Sequence, residues 1–207
     1  MDYMDSRSLE PIVRGYLNDF CKPSRIEHSL SVAAMASRLC VRFGLDPEDG
    51  YVAGLAHDLM KDKPVEFQWE LAGEAASETA LDFIASIVSR MDAEKSFADK
   101  IIHGPAAAVF LRRECELRDH DMLEAVALHS SASASMSSLA KILFVSDKME
   151  PRRAYITQAE LSQVDILDLN ALLLCALNLS LGWLRQKDHA IAQSTLDLYN
   201  ALTMSDN

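Results

Sequence analysis

The sequence has few of the features that mark secreted, membrane-spanning or β-rich proteins. Its opening residues, MDYMDSRSLEP, contain no basic segment followed by an apolar one, which is the pattern of a secretory signal peptide. The longest uncharged runs have 16 residues, whereas a helix needs ~20 apolar residues to cross a bilayer. Four cysteines occur without Cys-x-x-Cys spacing: Cys21, Cys40, Cys115 and Cys175. We therefore expect a cytoplasmic protein with free buried thiols rather than disulfides, and without a membrane partner.

Strand signals are also scarce, since no alternating run of Val, Ile or Thr exceeds four residues. Helix signals are frequent, and Asp46 before Pro47 has the pattern of an N-cap followed by the first helical position. Thr157 and Glu160 have the spacing of a capping box. We predict helices between Ser24 and Gly44, between Pro47 and Pro64, and at about 75–90, 105–115, 120–129, 137–149 and 168–202, the last with a break near Lys187-Asp188. The pattern predicts an all-α protein.

Positive charge is in short supply. The chain has 20 Lys and Arg against 31 Asp and Glu, a net charge of −11 at pH 7 and a pI near 4.9. This balance argues against a nucleic acid as partner. The excess is concentrated in residues 45–100, which hold 13 acidic and 5 basic residues, so the rest of the chain has room for a local basic site.

Part of that excess forms a repeat of acidic residues every four positions: Glu66, Glu70, Glu74, Glu78 and Asp82. One continuous helix would stack these like charges, so we expect Gly73 to break it into two short helices with solvated faces. A stripe that binds a partner is the alternative. Beside it, Phe67 and Trp69 fit core packing, and a lid or a homodimer contact is the other interpretation.

Histidine and aspartate supply the chemistry-bearing candidates. His57-Asp58 follows an apolar segment, where charge is costly unless it is paired or coordinated. His28 lies on a predicted apolar helix face, and Asp147 ends another apolar stretch. These four residues could converge on one divalent cation with open coordination positions. The alternative is that they are unrelated caps and hydrogen-bonded core groups. His120 and His189, each next to aspartate, fit solvated positions.

The order of these residues resembles the HD-domain phosphohydrolase superfamily, whose signature is His, then His-Asp, then Asp. More narrowly, the chain is similar to the bacterial symmetrical bis(5'-nucleosyl)-tetraphosphatases. The matching segments are Arg-Ile-Glu-His-Ser-Leu at 25–30, Gly-Leu-Ala-His-Asp at 54–58 with Lys61, His-Gly-Pro at 103–105, His-Ser-Ser at 129–131, Met-Ser-Ser-Leu-Ala-Lys-Ile at 136–142 and Asp-Lys-Met-Glu-Pro-Arg-Arg at 147–153. The resemblance implies a single HD-domain helical bundle over 1–207, with the motifs at about 20–155 and C-terminal helices at 156–207.

The resemblance also implies a reaction, the cleavage of diadenosine tetraphosphate in the middle to give two ADP. The metal, iron in that family and one or two ions, would be held by His28, His57, Asp58 and Asp147. Catalysis would depend on Asp58, His103 and His129. Nucleotide contacts would come from Arg25, Lys61, His103, His129, Glu150 and Arg153, with Arg153 on the phosphates. Another nucleotide as substrate, or a non-catalytic nucleotide-binding regulatory module, is the alternative.

Several roles stay open at this point. His103 and His129 could donate hydrogen bonds to phosphate, protonate the leaving ADP or ligate a second metal. Glu150 could brace Arg25 or Lys61, or be a plain surface acid. Two positions depart from the family: Ala132 replaces the usual glycine after His-Thr-Thr, with loss of its backbone freedom, and Lys148 replaces the usual aromatic.

Overall fold

The computed structural model describes residues 6–92 and 95–204, and within these ranges the chain is helical without a strand, which confirms the all-α prediction. The helices are α1 Ser6–Phe20, α2 Pro23–Phe43, α3 Pro47–Ala56, α4 Val65–Gly73, α5 Asp82–Asp92, α6 Lys95–Ala98, α7 His103–Glu114, α8 His120–Leu128, α9 Ser138–Met149, α10 Gln158–Gln163, α11 Leu169–Gln186 and α12 Gln193–Met204. No helix in the described ranges is long and apolar enough to span a membrane.

Helix ends mostly follow the sequence signals. The Asp46 side chain accepts a hydrogen bond from the backbone N–H of Glu48 at 2.9 Å, and α2 stops at Gly44 with φ +76°. Thr157 and Glu160 form the capping box of α10. The helix predicted up to Pro64 ends earlier, at Ala56, because the chain then tightens into turns such as the one closed by the 3.0 Å bond from Lys61 N to Asp58 O.

Sequence patterns did not predict α1, which contains Pro11, a residue that argues against a helix interior. Its apolar residues recur every four positions, so Leu9, Val13 and Leu17 all face the core and are fully or almost fully buried. At the other end of the chain, the predicted break near Lys187-Asp188 separates α11 from α12.

The acidic repeat is divided as expected, since α4 ends at Gly73 and two short 3₁₀ turns follow before α5. Glu74 and Glu78 are not simply solvated, because they form ion pairs with Arg113 and Arg112 of α7. Trp69 packs partly buried against the core, whereas Phe67 stays exposed. The four cysteines are free; Cys175 is half-buried and the others are buried.

The centre of the fold is the packing of α3 against α2, which is possible only because glycines face the neighbouring backbone. A Cβ atom on Gly54 would lie 2.4 Å from the Cα of Ala33 on α2. A Cβ atom on Gly50, one turn earlier, would lie 2.7 Å from the carbonyl oxygen of Ala36. This close approach brings the end of α3 against the first turns of α2, and α9 packs on both helices.

Candidate metal centre and active-site cavity

Three helices bring the predicted metal ligands together. His28 comes from α2, His57 and Asp58 directly follow α3, and Asp147 lies in the last turn of α9. The Nε2 atoms of His28 and His57 are 3.3 Å apart, and Asp147 Oδ1 is 3.1 Å from the former and 3.9 Å from the latter. Asp58 Oδ2 is 3.5 Å from His57 Nε2 and 3.9 Å from His28 Nε2. All four side chains are buried or nearly so.

Backbone and carboxylate acceptors fix how the imidazoles point. His57 Nδ1 is 2.7 Å from the Gly54 carbonyl oxygen, and His28 Nδ1 is 3.2 Å from Glu150 Oε1. Both acceptors take the Nδ1 proton, which leaves Nε2 facing the cluster. Histidines that bind a metal through one ring nitrogen usually have such a hydrogen-bond acceptor at the other nitrogen, because it fixes the tautomer and the ring orientation.

Glu150 makes a different contact from the one expected. It is almost fully buried and contacts His28, whereas the sequence suggested a brace for Arg25 or Lys61 or a surface acid. Its second oxygen accepts from Ser31 Oγ and from the Arg152 backbone N–H, each at 2.8 Å. Burial raises the pKa of Glu150, but the hydrogen bond with His28, followed by those from Arg152 and Ser31, outweighs burial and holds the pKa below the usual range, so the carboxylate that orients His28 is charged.

A second group of donors shares the Asp58 carboxylate. Asp58 Oδ1 lies 3.1 Å from His103 Nε2 and 3.5 Å from His129 Nε2, and these two nitrogens are 3.1 Å apart. His129 Nδ1 donates to the Val126 carbonyl oxygen at 2.8 Å. Burial lowers the pKa of His129, and burial together with the Lys61 charge lowers the pKa of His103 to about 3, so both rings are neutral at pH 7.

His103 differs from the other histidines in what its Nδ1 faces. Lys61 Nζ lies 3.1 Å from that nitrogen, and it also donates to the Lys100 carbonyl oxygen at 2.8 Å. An ammonium group can only donate, so it makes Nδ1 of His103 the acceptor and puts the ring proton on Nε2. The His103 Nε2–H then points at Asp58 Oδ1.

The donor set fits a divalent transition-metal ion. Burial raises the pKa of Asp58 and of Asp147, but other contacts outweigh burial and hold both pKa values well below the usual range. These contacts are His57 and the imidazole hydrogen bonds around Asp58, and the Lys148 and Arg153 charges beside Asp147. Two carboxylates and two imidazoles then present mixed oxygen and nitrogen donors, which suit iron, manganese or zinc better than calcium. Donors bonded at about 2.1 Å to one ion lie about 3.0–3.5 Å apart, close to the separations found here.

Basic side chains surround these acids. Arg25 Nη1 donates to Asp58 Oδ2 at 2.5 Å, and Lys148 Nζ lies 2.6 Å from Asp147 Oδ2. Arg153 donates to the carboxylate and, at 2.8 Å, to the carbonyl oxygen of Asp147. Lys148 thus brings a positive charge into the centre, beside Asp147.

The cluster opens into a cavity of about 280 Å³. Five Lys and Arg side chains and two Asp side chains line it, so its wall is positive in an acidic protein: Arg25, Lys61, Lys100, Lys148, Arg153, Asp58 and Asp147. His103, His129 and Ser130 also face the cavity, and Glu150 is not among its lining residues. A larger cleft of about 920 Å³ lies between the start of α1 and the start of α8, with exposed His120 at its edge. That cleft lacks the His/Asp cluster, so the smaller cavity is the candidate active site.

Sequence reasoning missed an aromatic part of this cavity's lining. Tyr155, Trp183 and His189 line the cavity, although His189 was expected to be only a solvated residue. His189 is indeed exposed, but its ring also packs against Trp183. No local pattern marks these rings, since they come from separate segments after the last HD-type motif.

The helical fold and the buried His/Asp cluster define the class, an all-α protein with a group of His and Asp side chains that could hold a divalent cation. The chain belongs to the HD domain family, whose model matches residues 25–152. This finding and the relatives described next confirm the resemblance stated from the sequence and place the chain among HD-domain hydrolases.

Curated relatives and a solved structure narrow the comparison. The chain is 27% identical to a symmetrical bis(5'-nucleosyl)-tetraphosphatase of Halalkalibacterium halodurans over 87% of this chain and 89% of the relative. It is 27% identical to the Bacillus subtilis protein of the same name over 86% and 89%. A crystal structure from Clostridium acetobutylicum, described as a predicted HD superfamily hydrolase involved in NAD metabolism, has a TM-score of 0.78 and 26% identity, covering 95% of this chain and 97% of that one.

Proposed function

We propose that the protein hydrolyses diadenosine tetraphosphate symmetrically to two ADP at the cavity lined by Asp58 and Asp147, the two carboxylates that lie against His28 and His57. The observation that carries the proposal is the buried His/Asp cluster inside a wall of basic side chains, because a phosphoanhydride needs both charge neutralisation and a positioned water. The names of the two relatives described above support the choice of substrate.

The metal would be held by His28, His57, Asp58 and Asp147, with iron as the proposed ion. When bound, a divalent ion there supplies positive charge to the phosphates and a water that is nucleophilic near neutral pH. Asp58 presents Oδ2 to this group and Oδ1 to His103 and His129, so one carboxylate joins both halves of the site. Oδ1 can orient the attacking water while Oδ2 stays with the metal-ligand group.

The basic side chains have distinct positions around the two carboxylates, and hence around phosphates bound there. Arg153 and Lys148 lie on the Asp147 side, and Arg25 lies on the Asp58 side. Lys61 stands between the Lys100 carbonyl and His103. This arrangement lets a chain of four phosphates bridge the cluster, with cations at both ends of the bond that breaks.

His103 fits a hydrogen-bond donor better than a metal ligand. Its Nε2 carries the proton in the arrangement with Lys61, so it can donate to a phosphate oxygen or to the leaving ADP. The separations among Asp58 Oδ1, His103 and His129 also match a second ion, and this alternative has its own signature. A metal content of one ion per chain would support the donor role. Two ions per chain in the wild-type protein, and loss of metal in His103→Gln, would refute it.

Product analysis tests the proposed reaction. Protein loaded with Fe²⁺ or Mn²⁺ should release ADP from diadenosine tetraphosphate without AMP or ATP, and Asp58→Asn should lose this activity. Asp82→Asn, an exposed acid outside the cavity, is the matched control. Release of AMP and ATP would contradict symmetric cleavage. ADP binding by metal-loaded protein without turnover would instead support the non-catalytic module.

A further inference from the structure

Three aromatic rings stand together in the lining of the cavity onto which the His/Asp cluster opens. The ring centroids of Trp183 and His189 are 5.5 Å apart at an interplanar angle of 82°, and those of Tyr155 and Trp183 are 5.9 Å apart at 36°. All three residues line the same cavity as Asp58 and Asp147. Trp183 is half-buried, so part of its ring remains available to a ligand.

The end of α11 places His189 against this indole. Asp188 has φ +53°, and its backbone N–H donates to the Arg185 carbonyl oxygen at 3.1 Å. The His189 N–H donates to the Leu184 carbonyl oxygen at 2.9 Å. These two bonds form a Schellman motif, which turns the chain back over the last turn of α11. The backbone geometry of this motif therefore holds the imidazole at the edge of Trp183.

Tyr155 is held on the other side by the segment that carries the phosphate-binding cations. Its hydroxyl donates to the Lys148 carbonyl oxygen at 3.0 Å, and Arg153 lies two residues before it. A single short segment thus supplies the Arg153 guanidinium on Asp147 and an aromatic ring beside Trp183. Phosphate-binding and ring-stacking groups lie at neighbouring positions of one wall.

We propose that Trp183, flanked by Tyr155 and His189, is the stacking platform for a purine base whose phosphates lie against Arg153 and Lys148. The inference deepens the proposed function and rests on it for the choice of nucleotide. A flat indole stacks on any nucleobase, and a purine offers it a larger face than a pyrimidine does. The site should therefore bind ADP and GDP more tightly than CDP and UDP, although all four have the same phosphates.

Binding of two probes to metal-loaded protein separates the base from the phosphates. Trp183→Leu keeps apolar volume without an extended ring, and it should weaken ADP binding by about 5-fold to 100-fold. Inorganic tripolyphosphate has no base, so its affinity should stay unchanged, and Trp183→Phe should restore much of the ADP affinity. An equal loss for both probes, or no loss for ADP, would overturn the platform and leave Trp183 as a packing residue.

Fluorescence tests the same contact without disturbing Trp183. The chain has two tryptophans, so Trp69→Phe leaves Trp183 as the only indole, and Trp183→Phe is the reverse control. ADP should quench the emission of the first protein and not of the second, and tripolyphosphate should quench neither. Absence of ADP quenching in the first protein would refute the inference. If ADP quenches Trp183 but diadenosine tetraphosphate is not cleaved, the platform stands and the proposed reaction fails.

Discussion

Gly54→Ala tests whether the close approach of α2 and α3 assembles the metal centre. The new Cβ atom would lie 2.4 Å from the Cα and 2.6 Å from the backbone nitrogen of Ala33, and ordinary contact begins near 3.4 Å. Backbone atoms cannot rotate away, so α3 has to move by about 1 Å. Overpacking of this kind costs ~1–3 kcal/mol, and we expect a loss of free energy of unfolding near the upper end.

The same substitution should damage the site more than the fold. The Gly54 carbonyl oxygen accepts the Nδ1 proton of His57, so a shift of α3 displaces a ligand together with its orienting group. Metal sites tolerate only about 0.2 Å in ligand distances. Loss of an orienting contact typically costs about 10–100-fold in metal affinity, and we expect Gly54→Ala to fall in that range.

Urea denaturation of metal-free protein and competition with a chelator measure the two effects separately. Gly15→Ala is the matched control, because Gly15 is at an exposed position of helix α1 and an added Cβ would meet no atom of another segment within 4 Å. It should stabilise the protein by ~0.5–1 kcal/mol and leave metal affinity unchanged. A Gly54→Ala protein that equals wild type in both measurements would refute the role assigned to this contact.

Three further predictions follow from local contacts. Burial lowers the pKa of His28, but hydrogen bonds to Asp147 and Glu150 outweigh it and raise the pKa to about 9. Metal-free protein should therefore lose stability as pH rises from about 6.5 to 9. His28→Gln should flatten this dependence of the urea midpoint on pH. Glu150→Gln should lower metal affinity by about 10–100-fold in chelator competition, with little change in stability if its role is orientation. Ala132 has φ +61°, so Ala132→Gly should raise the urea-derived stability by about 1 kcal/mol, and a loss would contradict backbone strain there.

The all-α class could be predicted from the sequence because the residues that cap and terminate helices act locally. Gly44, Asp46 and the capping box at Thr157 act within one turn of their own positions, and each is found where predicted. Helix α1 could not be predicted, since its burial depends on helices far away in the chain. The end of α3 at Ala56 was also missed, because tertiary contacts near His57 decide where the helix gives way to a turn.

The candidate site likewise has a part that the sequence predicted and a part that it did not. The residues of the proposed ligand set are adjacent in the structure although they span positions 28 to 147, and their order in the sequence was enough to group them. The contact of Glu150 with His28 and the wall formed by Trp183 were not predicted, because neither depends on a short-range spacing. Strain at Ala132 had a sequence signal, the missing glycine of the family pattern, but its magnitude depends on the backbone.

The net charge of −11 and the positive cavity act over different distances. Surface charges are screened beyond about 8–10 Å at physiological salt, so the acidic surface opposes a long polyanion that must lie along it. A small nucleotide that entered the cavity would meet partly buried cations within a few ångströms, where screening is weaker than at the surface. Arg25, Lys148 and Arg153 each already contact a site carboxylate, which holds them in place before any phosphate arrives. Such fixed cations favour an anion that reaches into the cavity, and a highly charged dinucleotide meets that condition better than nucleic acid does.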